Sequence, residues 1–272
     1  MINSDTSLYA VLGDPISHSL SPIMHNSAFS HINYNCVYFS FRVKEIGKAI
    51  SGIKALGIKG ASITIPHKVT VMEFLDEVDD MAEKIGAVNT IINRQGKITG
   101  YNFDSIGAVK AIKAKTEIKN KSVGVLGAGG DARAVGYGIK SESGRLTILN
   151  RTKEKGEKLA SDLESEFCPL EDLKKVKCEI LINTTPVGME PNFNSMPVGK
   201  EHLNKEMVVM DIVYNPLRTN LLKVAEDMGC TVIDGVSMFV YQGAGQFELW
   251  TGKEAPTDLM RKTVLKALGC DS

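Results

Sequence analysis

The sequence lacks nearly every feature that marks a protein by composition alone. It has no excess charge: 32 Lys and Arg offset 32 Asp and Glu. Without a basic field there is nothing long-ranged to gather nucleic acid or an anionic membrane surface, so neither is expected as a partner, and a bound anion must be held by local groups. No run approaches the ~20 apolar residues of a membrane span, and the opening MINSDTSLYAVLG lacks the basic flank and apolar core of a secretory signal. A cytoplasmic protein is expected. Cysteine is scarce and odd in number: Cys36, Cys168, Cys178, Cys230 and Cys270 include no C-x-x-C, which fits reduced thiols better than a disulfide framework. The five histidines form no H-E-x-x-H, so the spacing offers no metal site.

What is present is an ordinary balance, 43% hydrophobic and 24% charged, over 272 residues, a length that suits two domains better than one. Short β-branched runs (LYAVLG, CVYFSFRV, ASITIP) alternate with stretches of helical length, the pattern of βαβ units and a mostly parallel sheet. VNTIIN and KITGYN are separated only by Arg94, Gln95 and Gly96, which predicts a hairpin closing the first half near residue 104. A second series follows in KSVGVLGAGG, RLTILNR, EILINTT, MVVMDIVY and TVIDG, with a bridging helix expected over 105–116. From about 241 the chain reads as helical again and is expected to pack back on the first half. The resulting expectation is an α/β protein of two domains with a cleft between them: a mixed α/β substrate domain, 1–104 plus 241–272, and a Rossmann-type nucleotide domain, 105–240.

VGVLGAGGDARA is strand, glycine turn and helix start, with Gly127, Gly129 and Ala132 in G-x-G-x-x-A spacing. The first glycine permits the turn, the second lets backbone approach a pyrophosphate, and the helix N-terminus offers free N–H groups. An NAD site places an Asp or Glu at the end of the next strand to bond the ribose. Here Asn150 and Arg151 stand there, with Lys155 one turn later, and a guanidinium pairs with a 2′-phosphate that a carboxylate would repel. The reading is NADP, set against a merely solvated helix start.

A nicotinamide cofactor implies hydride transfer, and the alcohol oxygen then needs a proton donor or acceptor. Zinc has no ligand set, and none of the seven tyrosines has a lysine four residues on. Lysine or histidine remains. SITIPHK offers His67 and Lys68 just past a strand, where Pro66 would end pairing and expose them, while GYNFDSIG places Asp104 at the start of the bridging helix. Alone, Lys68 reads as a surface lysine and Asp104 as a helix N-cap.

Taken in order, G-x-P-x-x-x-S-x-S-P-x-x-H-N from Gly13, a T-x-P-x-K strand end, G-A-V-N-T, N-x-D, G-A-G-G, N-R-T and Q-x-x-x-Q-F-x-x-W ending at Trp250 resemble the shikimate dehydrogenase family, NADP enzymes of aromatic amino-acid biosynthesis. The resemblance implies reversible NADPH-dependent reduction of 3-dehydroshikimate to shikimate. It implies that Ser19 and Ser21 hold the substrate carboxylate, that Thr64, Asn89 and Gln242 bond ring hydroxyls, that Tyr214 lies at the substrate edge, and that Lys68 and Asp104 are the catalytic pair. On the cofactor side it implies Gly127, Ala128, Gly129, Gly130 and Asp131, then Asn150, Arg151, Thr152 and Lys155, then Ile212, Gly235 and Met238 near the nicotinamide, with Asp80 as a further position. A monomer or a homodimer fits equally. The alternatives are a broader quinate/shikimate dehydrogenase, with NAD among its cofactors, and a non-catalytic ligand-binding regulator.

The chain departs from the usual pattern at Ser62, where asparagine is common, at Phe103, where threonine is usual, and at Asp131, where a small residue is usual. Ser62 is expected to bond a ring hydroxyl with shorter reach. Asp131 suits the helix dipole but lies close to a pyrophosphate. Pro22 is expected as the first helical residue with Ser21 as N-cap, leaving Ser19 and Ser21 on one side of an extended segment as a neutral carboxylate cradle, and Ser17 as a turn residue.

Overall fold

The computed structural model describes residues 2–270. The chain divides into two compact units, Met1–Phe103 with Gln242–Ser272, and Asp104–Tyr241. The first begins with β1 (Ser7–Gly13), α1 (Ser21–His31), β2 (Cys36–Arg42), α2 (Ile46–Leu56) and β3 (Gly60–Ile63). A 3-10 turn (Thr70–Phe74), β4 (Glu77–Val78), α3 (Asp80–Ile85), β5 (Thr90–Arg94) and β6 (Lys97–Tyr101) follow. The sheet runs β2-β1-β3-β5-β6-β4, with β1 parallel to β2 and β3, and β5 antiparallel to both β3 and β6. The β5–β6 turn is two residues, Gln95 (φ 57°) and Gly96 (φ 88°), both left-handed as a type I′ hairpin requires. Ile46, Ile50 and Ile53, at helical spacing, press α2 onto Ala10, Leu12, Ala61 and Ile63 of the sheet, and Gly57 ends the helix in the left-handed region.

The second unit contains α4 (Asp104–Lys113), β7 (Ser122–Leu126), α5 (Gly130–Ser141), β8 (Arg145–Asn150), α6 (Lys153–Asp162) and β9 (Glu166–Pro169). It continues through β10 (Ile180–Asn183), β11 (Val208–Asp211), α7 (Asn220–Asp227) and β12 (Thr231–Ile233). The strands run β12-β11-β10-β7-β8-β9, all parallel, which is the doubly wound dinucleotide-binding order. The order reverses between β7 and β10, so that is where a crevice opens at the strand ends. Val123, Val125, Ile148, Ile180 and Ile182 form the centre of this unit's hydrophobic core. Fold class and the mixed and parallel sheets are as expected from the alternating pattern.

α8 (Gly235–Thr251) and α9 (Thr257–Ala267) complete the chain. α8 starts at Gly235, not near 241, and Asp234 just before it accepts the Ser237 N–H on its Oδ1 at 2.9 Å, a capping bond that the apolar pattern does not indicate. In the first unit the C-terminal part of α8 brings Trp250 against Tyr9 (ring centroids 5.2 Å) and Phe247 against Phe29 (5.3 Å). Trp250 donates its indole N–H to the Ile91 carbonyl at 3.1 Å. β4 and β9 are strands the apolar pattern does not indicate: both are short and lie at sheet edges, β9 reading only EFCP. The bridging helix ends at Lys113, short of 116. All five cysteines are free, Cys168 and Cys230 buried and the others half-buried. Among the described residues no helix is long and apolar enough to cross a membrane.

Candidate active site

The serine segment is a turn, not an extended strand end. Ser19 N–H bonds the Ile16 carbonyl at 3.1 Å, and α1 begins at Ser21 with Leu20 as N-cap, which contributes no side-chain bond. Ser21 is thus the first helical residue and Pro22 the second, so the helix starts one residue earlier than the expected N-cap at Ser21 would place it. Ser19 Oγ accepts the Ser21 N–H at 3.3 Å. Ser17 is exposed, Ser19 half-buried and Ser21 buried. Two hydroxyls therefore stand at a helix N-terminus whose first-turn side chains include no acid.

Contrary to the expectation that Pro66 leaves His67 and Lys68 exposed, both are buried, at 5% and 8%. The segment folds inward because its backbone is paired on both sides: His67 N–H bonds Thr64 O at 2.9 Å, and Lys68 O accepts Val88 N–H at 2.7 Å. His67 Nε2 lies 2.7 Å from the Val43 carbonyl, which can only accept, so that nitrogen carries the proton and anchors the loop. Thr64 is half-buried beside Gly13, where an added Cβ would collide with its Cγ2. Asp104 opens α4 in the second unit and is 4% exposed.

Asn89 ties this loop to the chain preceding Asp104. Its Oδ1 accepts the Phe103 N–H at 2.9 Å and the Thr90 hydroxyl at 2.7 Å, while its Nδ2 lies 3.5 Å from Gln242 Oε1. Ser62 is more constrained than expected. Its hydroxyl accepts from Tyr38 Oη at 2.6 Å and donates to Gln246 Oε1 at 2.8 Å, so its one proton is committed inside the unit. Phe103 covers Gly245, where a Cβ would strike the ring.

In the second unit Gly127 (φ 117°) turns the chain after β7, and a Cβ there would sit 2.8 Å from Thr184 Oγ1 on the loop after β10. The glycine thus lies at the reversal point of the sheet. Gly129, the N-cap of α5, is different: it is exposed, and no protein atom lies within 4 Å of an added Cβ. Protein packing does not demand glycine there, whereas close approach of a ligand does. Ala128 and Gly130 are half-buried beside it, Ala132 is fully buried, and Asp131 stands in the first helical turn. At the end of β8 Asn150 Nδ2 bonds the Thr152 carbonyl at 2.8 Å, shaping the turn, and Arg151 and Lys155 are exposed without an ion-pair partner among the described residues. Two cations without a carboxylate at this strand end match a 2′-phosphate.

Gly235 is packed by backbone: a Cβ would lie 2.5 Å from the Ile212 carbonyl and 2.6 Å from Val213. Ile212 and Met238 both belong to the core beneath the parallel sheet, and Tyr214 stacks on Phe239 at 4.4 Å. Asp211 holds this segment. It is fully buried and accepts from Asn183 Nδ2 (2.9 Å), Thr219 Oγ1 (2.7 Å) and Val213 N–H (3.1 Å). Burial outweighs those donors and pushes its carboxyl up to about 6. Asp80 belongs to the first unit, exposed in the first turn of α3, whereas the other expected cofactor positions all belong to the second. Sequence reasoning gives no role to Tyr38, Thr90, Asn183 or Asp211, and it meets Gln246 only as a letter of the last motif. Among the described residues no three His, Cys, Asp or Glu side chains gather as a metal set.

Three family profiles match the chain: "Shikimate dehydrogenase substrate binding domain" over 11–91, "Shikimate / quinate 5-dehydrogenase" over 109–216, and "Shikimate 5'-dehydrogenase C-terminal domain" over 235–265. A shikimate dehydrogenase (NADP(+)) of Pyrococcus abyssi is 45% identical over 264 residues, covering 96% of this chain and 98% of that protein. A shikimate dehydrogenase crystallised with NADP+ superposes with a TM-score of 0.92 at 43% identity, covering 98% of each chain. The Thermus thermophilus shikimate 5-dehydrogenase, crystallised with NADP(H) and shikimate, gives 0.90 at 32% identity, covering 97% of this chain and 100% of that one. From near-complete coverage at this identity, the chain belongs to the shikimate dehydrogenase family.

Proposed function

We propose that the chain is an NADP-dependent oxidoreductase that reversibly reduces 3-dehydroshikimate to shikimate, with Lys68 as general acid and Asp104 as the group that orients Lys68 and the substrate hydroxyl. NADPH, when bound, supplies the hydride. Gly129 leaves room at the α5 N-terminus for the pyrophosphate, and Arg151 and Lys155 supply the charge for the 2′-phosphate. Ser19 and Ser21 hold the substrate carboxylate as neutral donors at a helix N-terminus. Thr64, Asn89 and Gln242 bond the ring hydroxyls. Lys68 passes a proton to the substrate oxygen as it becomes an alcohol, and takes it back in the oxidation.

The observation that supports Lys68 is its burial, 8% exposed, in a loop held by Val88 N–H on the Lys68 carbonyl and by His67 Nε2 on the Val43 carbonyl, which keeps a proton-carrying amine in a fixed place out of bulk water. Steady-state kinetics test it. Lys68→Ala is expected to lower kcat by about a thousandfold while the KM for shikimate stays within about threefold. Near-normal turnover would reject Lys68. Running the parent protein with shikimate and quinate, each with NADP and NAD, separates this activity from a broader quinate/shikimate enzyme.

A further inference from the structure

We propose that Thr90 and Gln246 are positioning residues that make Asn89 present its amide N–H groups, not its oxygen, to the substrate; this rests on the reading of Asn89 as a ring-hydroxyl contact. Two backbone groups dictate the direction of every bond involved. The Phe103 N–H can only donate, so the Asn89 atom 2.9 Å from it is the oxygen. Thr90 Oγ1, 2.7 Å from that same oxygen, must then be a donor. Having given its proton to Asn89, Thr90 Oγ1 accepts from the Gln246 atom 2.9 Å away, which is therefore Nε2. The Asn89 carbonyl, 3.3 Å from the same nitrogen and able only to accept, requires the same assignment. Gln246 Oε1 consequently faces Ser62, which donates to it at 2.8 Å, and Tyr38 closes the chain by donating to Ser62 at 2.6 Å.

No member has a free choice of orientation. Asn89 is 2% exposed, Thr90 0% and Gln246 1%, so solvent does not stand in for a missing partner. The Asn89 oxygen is saturated by two donors, and its Nδ2 keeps two protons, the nearest acceptor being Gln242 Oε1 at 3.5 Å, the outer limit of a hydrogen bond. A ring hydroxyl arriving at Asn89 therefore meets a donor and must accept. Ser62 offers no proton to it. The polarity that Asn89 presents to a ring hydroxyl is then set by Thr90 and Gln246.

The test is steady-state kinetics on Asn89→Ala, Thr90→Val, Thr90→Ser and Gln246→Met, with shikimate and with its ring-deoxy analogues. Thr90→Val keeps the shape and removes the hydroxyl. It is expected to raise the KM for shikimate about tenfold while kcat changes less than about threefold and the KM for NADP less than about twofold. Thr90→Ser restores the parent values. The penalty vanishes with the deoxy analogue on which Asn89→Ala also has no effect. If Thr90→Val does not fold, Gln246→Met is read in the same way. A shikimate KM unchanged in both variants while Asn89→Ala raises it overturns the proposal and leaves the substrate reading standing. A KM unchanged in Asn89→Ala overturns both. Equal losses toward shikimate and NADP, or toward all analogues alike, mean a structural role only and also overturn it.

Discussion

Arg151 has, among the described residues, nothing to pair with. Arg133 reaches Asp162 at 2.8 Å and Lys113 reaches Glu142 at 2.9 Å, while Arg151 and Lys155 are exposed and unpaired beside an N-terminal helix turn. Arg151→Ala is expected to raise the KM for NADP at least about tenfold, the worth of one charge-assisted contact, and to leave the KM for NAD unchanged. An equal effect on both cofactors would place Arg151 away from the 2′-phosphate. The chemistry of such residues is legible in the sequence, because an absent carboxylate at a strand end is visible as letters. Their surroundings are not. Lys68 reads as exposed since Pro66 ends a strand, and its burial depends on Val88, which returns from a different part of the chain. Likewise Ser62 reads as a substrate hydroxyl until Gln246, 184 residues away, is seen to take its proton.

At the level of elements, two glycines at helix starts have opposite reasons to be glycine. Gly129 caps α5 at φ −93°, a conformation open to any residue, with nothing near an added Cβ, whereas Gly235 begins α8 against the Ile212 and Val213 backbone. Gly129→Ala is expected to leave the melting temperature within about 2 °C but to weaken NADP binding, and Gly235→Ala to cost about 1–3 kcal/mol of stability through overpacking. Thermal unfolding together with cofactor titration checks the pair; a destabilised Gly129→Ala would remove the argument that its space belongs to the ligand. The long β-branched strands and the β5–β6 turn can be read directly. What escapes are elements specified by neighbours: β4 and β9, short strands that pair on the edges offered by β6 and β8. The cap of α1 falls on Leu20, one residue before the serine that residue preferences favour.

For the whole molecule, acid acts in opposite directions on the two units. His25, in the first, is fully buried, stacks on Tyr38 at 4.6 Å, and has no hydrogen-bond partner on either ring nitrogen among the described residues. Desolvation lowers its pKa from 6.5 to about 3, opposed only in part by the nearby Gln246. Between those values the unfolded chain binds the extra proton, so stability is lost as pH falls, by up to about 1.4 kcal/mol per pH unit. Asp211, in the second unit, is raised from 3.8 to about 6, so there the folded state binds the extra proton and stability is gained as pH falls through that window. The two slopes offset each other between about pH 6 and pH 4. Asp211→Asn is therefore expected to make thermal stability fall more steeply on acidification than in the parent, measured as melting temperature against pH. A slope identical to the parent's would show that Asp211 does not hold its proton in the folded state.

The first unit is assembled from two stretches separated by all of Asp104–Tyr241. During synthesis its sheet leaves the ribosome before the second unit, while the end of α8 and α9 that cover it leave after it. For that interval Tyr9, His25 and Phe29 wait without Trp250 and Phe247, and the nascent chain carries an unfinished aromatic face. Trp250 is the only tryptophan in the sequence and is 6% exposed once docked. Its fluorescence is thus a built-in clock for the final docking step, silent to the folding of the parallel sheet made in between.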